Sequence, residues 1–239
     1  MSDVFQEVDE ELRRQQLDTV FRTYAPWVAA AAIVFFASFA GFTFWQSYKE
    51  SQAAAAGNQL IQGMETLGAG DQVAAAALFA GITNDAPSGY ALLARMQEAA
   101  AKRQVGDVEG ALALYDQIAA EDNNPEEFRD LARYYGGLTA LGSESATYED
   151  ISARLLPVAD GDGPWRFHAR EALGYTAFRE GDIEFAAEQY QRLTDDPLTP
   201  VGVAARATEM LNLTDATIDV EADAVTGEET VAQPEPATE

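Results

Sequence analysis

Apolar positions in this chain follow two regimes. From Pro26 to Trp45, twenty residues run without a single charge. Elsewhere apolar residues return every three or four positions with charges between them, the rhythm of amphipathic helices. No window of useful length shows the every-second alternation of a strand, so the chain reads as all-α. Ahead of the uncharged run, Val4, Val8 and Leu12, then Leu17, Val20, Phe21 and Tyr24, predict a leader helix capped by Ser2 or Asp3.

Only Ser38, Thr43 and the indole nitrogens are polar in the uncharged run. Twenty residues at about 1.5 Å each span about 30 Å, the hydrocarbon thickness of a bilayer. Trp27 stands at one end and Trp45 and Tyr48 at the other, where amphipathic rings prefer the headgroups. The run therefore predicts a transmembrane helix over 26–46, with these three rings as interface anchors. Ser38, Ala40 and Gly41 are small enough for a second helix to approach. A buried soluble helix is the alternative. A cleaved signal peptide is disfavoured because the run exceeds the usual ~7–15-residue core and Lys49 and Glu50 precede the alanine tract at 53–56. Arg13, Arg14 and Arg22 lie before the span and only Lys49 follows it before Arg95. The positive-inside rule then leaves 1–25 as a cytoplasmic amphipathic leader and sends the remainder outside.

The exported part repeats itself. Gly70-Asp71, Gly106-Asp107 and Gly181-Asp182 each open the same ungapped pattern. Four residues after the Asp comes Ala75, Ala111 or Ala186; eight after it, Phe79, Tyr115 or Tyr190; eleven after it, Ile82, Ile118 or Leu193. These offsets share one helical face. Gly suits the left-handed residue that ends a helix, and Asp caps the next. Seven residues before each Gly lies Gly63, Ala99 or Gly174, a small residue where the preceding helix crosses. The copies are 36 and 75 residues apart. A degenerate fourth, without Gly-Asp, is expected near Leu141 with its helix ending at Pro157. Asn124-Pro125 and Thr199-Pro200 read as cap-plus-first-residue helix starts. About nine helices follow, the first running on to Leu67.

Charge sharpens the divisions. The chain has 239 residues, 15 Lys and Arg, 40 Asp and Glu, one His and no Cys, for a net charge of −25. Residues 46–214 hold 12 basic and 26 acidic side chains, while 215–239 hold eight acids and no base. Such a polyanion repels phosphate backbones, so nucleic acid is excluded as a partner. Without Cys there are no disulfides and no thiolate chemistry. The helical-repeat domain is expected over 47–213. Residues 214–239, rich in acid and carrying Pro234 and Pro236, read as a disordered tail.

Catalytic chemistry finds no support. The lone His168 cannot form a His cluster and reads as structural or merely exposed. Asp160-Gly-Asp162-Gly with Glu171 imitates a calcium loop, but Pro164 and Trp165 occupy a ligand place and the turn glycine's place, so it reads as an inter-helix loop. Gly68-Ala-Gly70 follows no strand and cradles no phosphate. No enzyme activity, metal, cofactor or small-molecule substrate is expected.

The Gly-Asp…Ala…aromatic pattern, with Leu173-Gly174, Ala186, Tyr190 and Pro197, resembles the tetratricopeptide repeat (TPR), although the hallmark Trp and first-helix Tyr are missing or displaced. The expected fold is all-α, a single N-terminal transmembrane helix followed by a TPR-like helical-repeat solenoid. Stacked helix pairs line a concave surface with their first helices. On the repeat register Met96, Arg103, Arg133, Glu171, Tyr175 and Arg179 are the candidates for a partner-binding groove. Taken whole, the acidic-and-Arg leader from Phe5 to Arg14, the single span and the repeats are similar to the YfgM family. That family comprises bacterial inner-membrane proteins ancillary to the SecYEG translocon. The resemblance implies a periplasmic repeat domain and partners among the translocon, periplasmic chaperones and unfolded clients. The alternative is a structural tether or assembly factor of another inner-membrane complex.

Overall fold

Each Gly-Asp pair acts twice at one helix junction. Gly70, Gly106 and Gly181 have φ of +89°, +86° and +84°, the only positive values among the described residues. There the missing Cβ removes the steric cost of the left-handed conformation. The following Asp71, Asp107 and Asp182 then accept from the backbone N–H of Ala74, Gly110 and Phe185 at 3.0, 3.0 and 3.2 Å. The computed structural model describes residues 3–82, 86 and 88–229, with side chains for 27, 30, 31, 33–82, 86 and 89–217. Among these the elements are α1 (Asp3–Gly68), α2 (Gln72–Ala80), α3 (Ser88–Gln104), α4 (Val108–Ala120), α5 (Glu126–Leu141), α6 (Tyr148–Ala159), α7 (Arg166–Glu180), α8 (Ile183–Asp195) and α9 (Val201–Glu229). No strand occurs among the described residues.

The chain divides into two compact units, Met1–Ala55 and Ala56–Glu239. In the second, each helix from α2 onward packs on the next, and α5 also touches α7 as α7 touches α9. The repeat positions form the core. Ala75, Ala111 and Ala186 are fully buried, as are Phe79, Tyr115 and Tyr190 at 1% exposure. Crossing residues are small because the aromatic lies against them. A Cβ on Gly63 would fall within the Phe79 ring, and one on Gly174 would sit 3.0 Å from Tyr190 Cζ.

The fourth copy keeps the same register under different residues. Thr147 stands where the others have Asp, its hydroxyl accepting from the Asp150 N–H while Asp150 accepts from the Thr147 N–H. This is a reciprocal capping box. Four, eight and eleven residues after Thr147 come Ile151, Leu155 and Val158, all buried in one cluster. Ile plus Leu replaces Ala plus aromatic, dividing the volume differently over two positions. Gly137 is the crossing residue, since a Cβ there would overlap Leu155.

A second repeated device is an arginine four residues before three of the four crossing residues, Ala99, Gly137 and Gly174. Arg133 donates to the Ala119 carbonyl at 3.4 Å and Arg170 to the Ala159 carbonyl at 2.6 Å, each closing the last turn of the preceding helix. A cation at this negative dipole end is stabilising. Arg95, in the same place on α3, pairs with Glu121 at the end of α4 at 2.6 Å.

Several local expectations need correction. α6 does not stop at Pro157 but continues to Ala159. Proline forfeits one hydrogen bond, here the one an N–H would donate to the Ala153 carbonyl, and the buried Val158 and Ala159 hold the final turn. Asn124 does not cap α5; its Nδ2 donates to the Ile118 carbonyl at 3.0 Å and closes α4. Pro125 is the cap residue, and its carbonyl accepts from Phe128 and Arg129. Thr199 likewise leaves Oγ1 unpartnered among the described residues, while the Pro200 carbonyl accepts from Val203 at 2.8 Å. The stretch expected to be a disordered tail from 214 is helical through Glu229, and Thr214 is fully buried. Its alanines and glutamates favour helix, and no proline interrupts it before Pro234. Residues 230–239 lie outside the described residues.

From Asp3 onward the backbone of the leader belongs to α1, while residues 1 and 2 and the leader's side chains lie outside the described set. Among the described residues no helix is long and apolar enough to cross a membrane. The uncharged run includes Val28, Ala29 and Ala32, whose side chains are outside that set. The continuous described part, Ile33 to Trp45, is shorter than the ~20 residues a span requires.

Candidate functional site

Two first helices of successive pairs, α5 and α7, and the closing helix α9 place apolar faces around one concavity. α5 contributes Tyr134, Leu138 and Leu141; α7 contributes His168, Glu171, Ala172 and Tyr175; α9 contributes Arg206, Glu209 and Met210. Spacings of three and four put each set on a single helical face. Tyr190, reaching through from α8 past Gly174, forms part of the floor. The concavity measures about 390 Å³, within the range that accepts a small ligand or a few side chains.

Its walls are aromatic and aliphatic, with one ion pair across it. Arg206 binds both carboxylate oxygens of Glu171, Nε to Oε1 at 2.5 Å and Nη2 to Oε2 at 2.8 Å. That fork joins α9 to α7, and the Glu171 hydrogen bond raises the arginine's pKa further. Burial pushes the Tyr134 and Tyr190 hydroxyls above 10.0, and the Glu171 charge adds to both shifts. Both phenols therefore stay protonated across the physiological range. Tyr134 stacks on Trp165, ring centroids 6.3 Å apart and planes 12° from parallel, and meets His168 edge-on at 6.1 Å. Trp165 donates through Nε1 to the Glu127 carbonyl at 3.2 Å. The Asp160–Trp165 segment is thus a packed loop, with Asp160 ending α6 and lying 3.6 Å from Arg192. His168 Nδ1 is buried without a partner among the described residues.

Of the six groove candidates, the structure brings Glu171 and Tyr175 together in the concavity. Arg179 is exposed further along α7 and donates to the Leu141 carbonyl at 3.3 Å, at the edge of the same face. Met96 is not a groove residue. It is 8% exposed and packs in the core with Leu92, Ala99 and Tyr115. Arg133 is one residue off the α5 groove face, because it serves as the arginine that closes α4; it also pairs with Asp130 at 2.8 Å. Arg103 is exposed at the end of α3, where its charge opposes the upward push of burial on Tyr115. Trp27, Trp45 and Tyr48 are 76, 55 and 56% exposed. Lys49 Nζ sits 3.7 Å above the Trp45 ring.

Sequence reasoning missed Tyr134 and the α9 residues. Tyr134 lies three before Gly137 as Glu171 lies three before Gly174, so alignment on the small crossing residues would have found it. α9 has no Gly-Asp after it and carried no register signal.

The family model described as "Tetratricopeptide repeat-like domain" matches residues 19–197, about three quarters of the chain. The chain belongs to this family. Neither a curated protein nor a solved structure matches it. Tetratricopeptide repeat-like domains are protein-interaction modules, so the partner class is protein. The concavity across α5, α7 and α9 lies on the first-helix surface of the stack, the side such repeats offer to partners.

Proposed function

We propose that this tetratricopeptide repeat-like protein is a membrane-anchored docking module that works by protein contact and not by catalysis. Its groove across α5, α7 and α9 would receive a polypeptide segment. The observation that carries the reading is the groove itself: open, aromatic-walled and built from the first helices α5 and α7 together with the closing helix α9. Its mixture of tyrosine, leucine, methionine and one exposed ion pair suits a peptide chain.

Membrane anchoring rests on the uncharged run. Ile33, Val34, Phe35, Phe36, Phe39, Phe42 and Phe44 are 59–76% exposed and point in all directions around α1. An all-round apolar helix needs lipid or protein around it. Arginines on one side of the run support an inner-membrane location with 1–25 cytoplasmic and the repeats periplasmic. Together with the YfgM-like order of parts, this favours an ancillary translocon subunit linking SecYEG to periplasmic chaperones and clients. Anchoring would raise the groove's effective concentration where chains emerge.

Crosslinking of the full chain in intact membranes, followed by mass spectrometry, tests the proposal. Crosslinks to the translocon channel and to exported polypeptides are expected, with groove peptides of α7 and α9 among the sites. Recovery of a different inner-membrane complex without the channel would overturn the translocon assignment. Release of the chain by alkaline carbonate washing would overturn the anchor.

A further inference from the structure

The groove's charges select among segments that would fit its walls. Arg206 is its only cation among the described lining residues, and both carboxylate oxygens of Glu171 already occupy that guanidinium. An acidic partner would have to break this fork. Glu209 lies three residues along α9 from Arg206, exposed and with no ion pair or hydrogen bond among the described residues. Glu171, Glu209 and Arg206 leave the groove at −1, and residues 46–214 supply 26 acids against 12 bases around it. A field of that sign repels acidic segments and steers basic ones inward. The apolar side is equally specific. Leu138, Tyr175, Tyr190 and Met210 bound a space of about 390 Å³. That volume holds one or two large side chains and excludes a folded surface.

From this we infer that the occupant is a linear polypeptide segment whose large apolar residue fills the space between Tyr175 and Met210 and whose neighbouring Lys or Arg pairs with Glu209. This rests on the groove being the docking surface and adds the chemistry of what docks there. The apolar anchor supplies most of the affinity, and the basic residue sets orientation and discrimination.

The test uses the full chain in mild detergent and two fluorescein-labelled peptides. One carries Leu and Phe with flanking Lys; the other has Glu in place of every Lys. Fluorescence anisotropy should show tighter binding of the Lys peptide, by a margin that narrows with added salt. Glu209→Lys should weaken the Lys peptide about two- to ten-fold and strengthen the Glu peptide, since an exposed attraction becomes a repulsion of similar size. Tyr175→Ala should weaken both. Tyr175 and Glu209 are both exposed, so neither change threatens folding. Equal binding of the two peptides, with Glu209→Lys silent and Tyr175→Ala effective, would overturn the basic preference and leave the groove reading standing. Binding of both peptides that ignores Tyr175→Ala, or no binding of either, would overturn the groove reading along with it.

Discussion

Ile151 and Leu155 share the work that alanine and an aromatic do in the other three pairs, and this makes their coupling measurable. Leu155 is fully buried and Ile151 is 4% exposed, with Leu155 seated on Gly137 as Tyr190 is seated on Gly174. Ile151→Ala alone leaves a cavity and should cost about 2–4 kcal/mol. Leu155→Tyr alone overfills the space over Gly137 and should cost about 1–3 kcal/mol. Made together, they restore the Ala-plus-aromatic division of volume found at Ala186 and Tyr190. The double variant should then be less destabilised than the sum of the singles by about 1–3 kcal/mol, a coupling typical of residues in contact. Urea unfolding of the full chain followed by far-ultraviolet circular dichroism gives all four stabilities. Additive single costs would refute the equivalence of Thr147–Val158 with the Gly-Asp copies, and with it the four-pair register.

Other outcomes follow from single contacts. Gly181→Ala should lower stability by about 1–2 kcal/mol in the same urea assay, because nothing lies within 4 Å of the added Cβ and the cost is purely that of φ +84°. Asp182→Ala removes the acceptor for the Phe185 N–H and should cost about 1 kcal/mol, whereas Asp182→Ser should recover most of it. Glu121 has its pKa held below 4.5, chiefly by the hydrogen bond from Arg95 and against the opposing effect of burial. Its contribution is present above pH 4.5 and lost as pH falls through the lower folded value. The gap in melting temperature between the wild type and Glu121→Gln should therefore be constant above that pH and close below it. Because the Glu121 side chain is 37% exposed, the corresponding difference in unfolding free energy should stay under about 1 kcal/mol.

What the residue order determined by itself was local and periodic. Helix type, the Gly-Asp junctions, the buried Ala and aromatic positions and the small crossing residues depend on one turn of helix or on spacing along one face. Such preferences are written wherever the residues stand. The family pattern was legible for the same reason, since three copies share one spacing. Tertiary structure decided which face of a first helix meets solvent. Met96 and Glu171 hold the same place relative to their crossing residues, yet Met96 is buried against Leu92 and Tyr115 while Glu171 reaches across to Arg206. Arg133 looked like a groove residue until the end of α4 was placed beside it. The groove exists only because α9 closes on α7, a contact between residues 35 apart that no local pattern announces. Packing between helices sums many weak contacts over distant positions, so its outcome belongs to the assembled stack and not to any one segment.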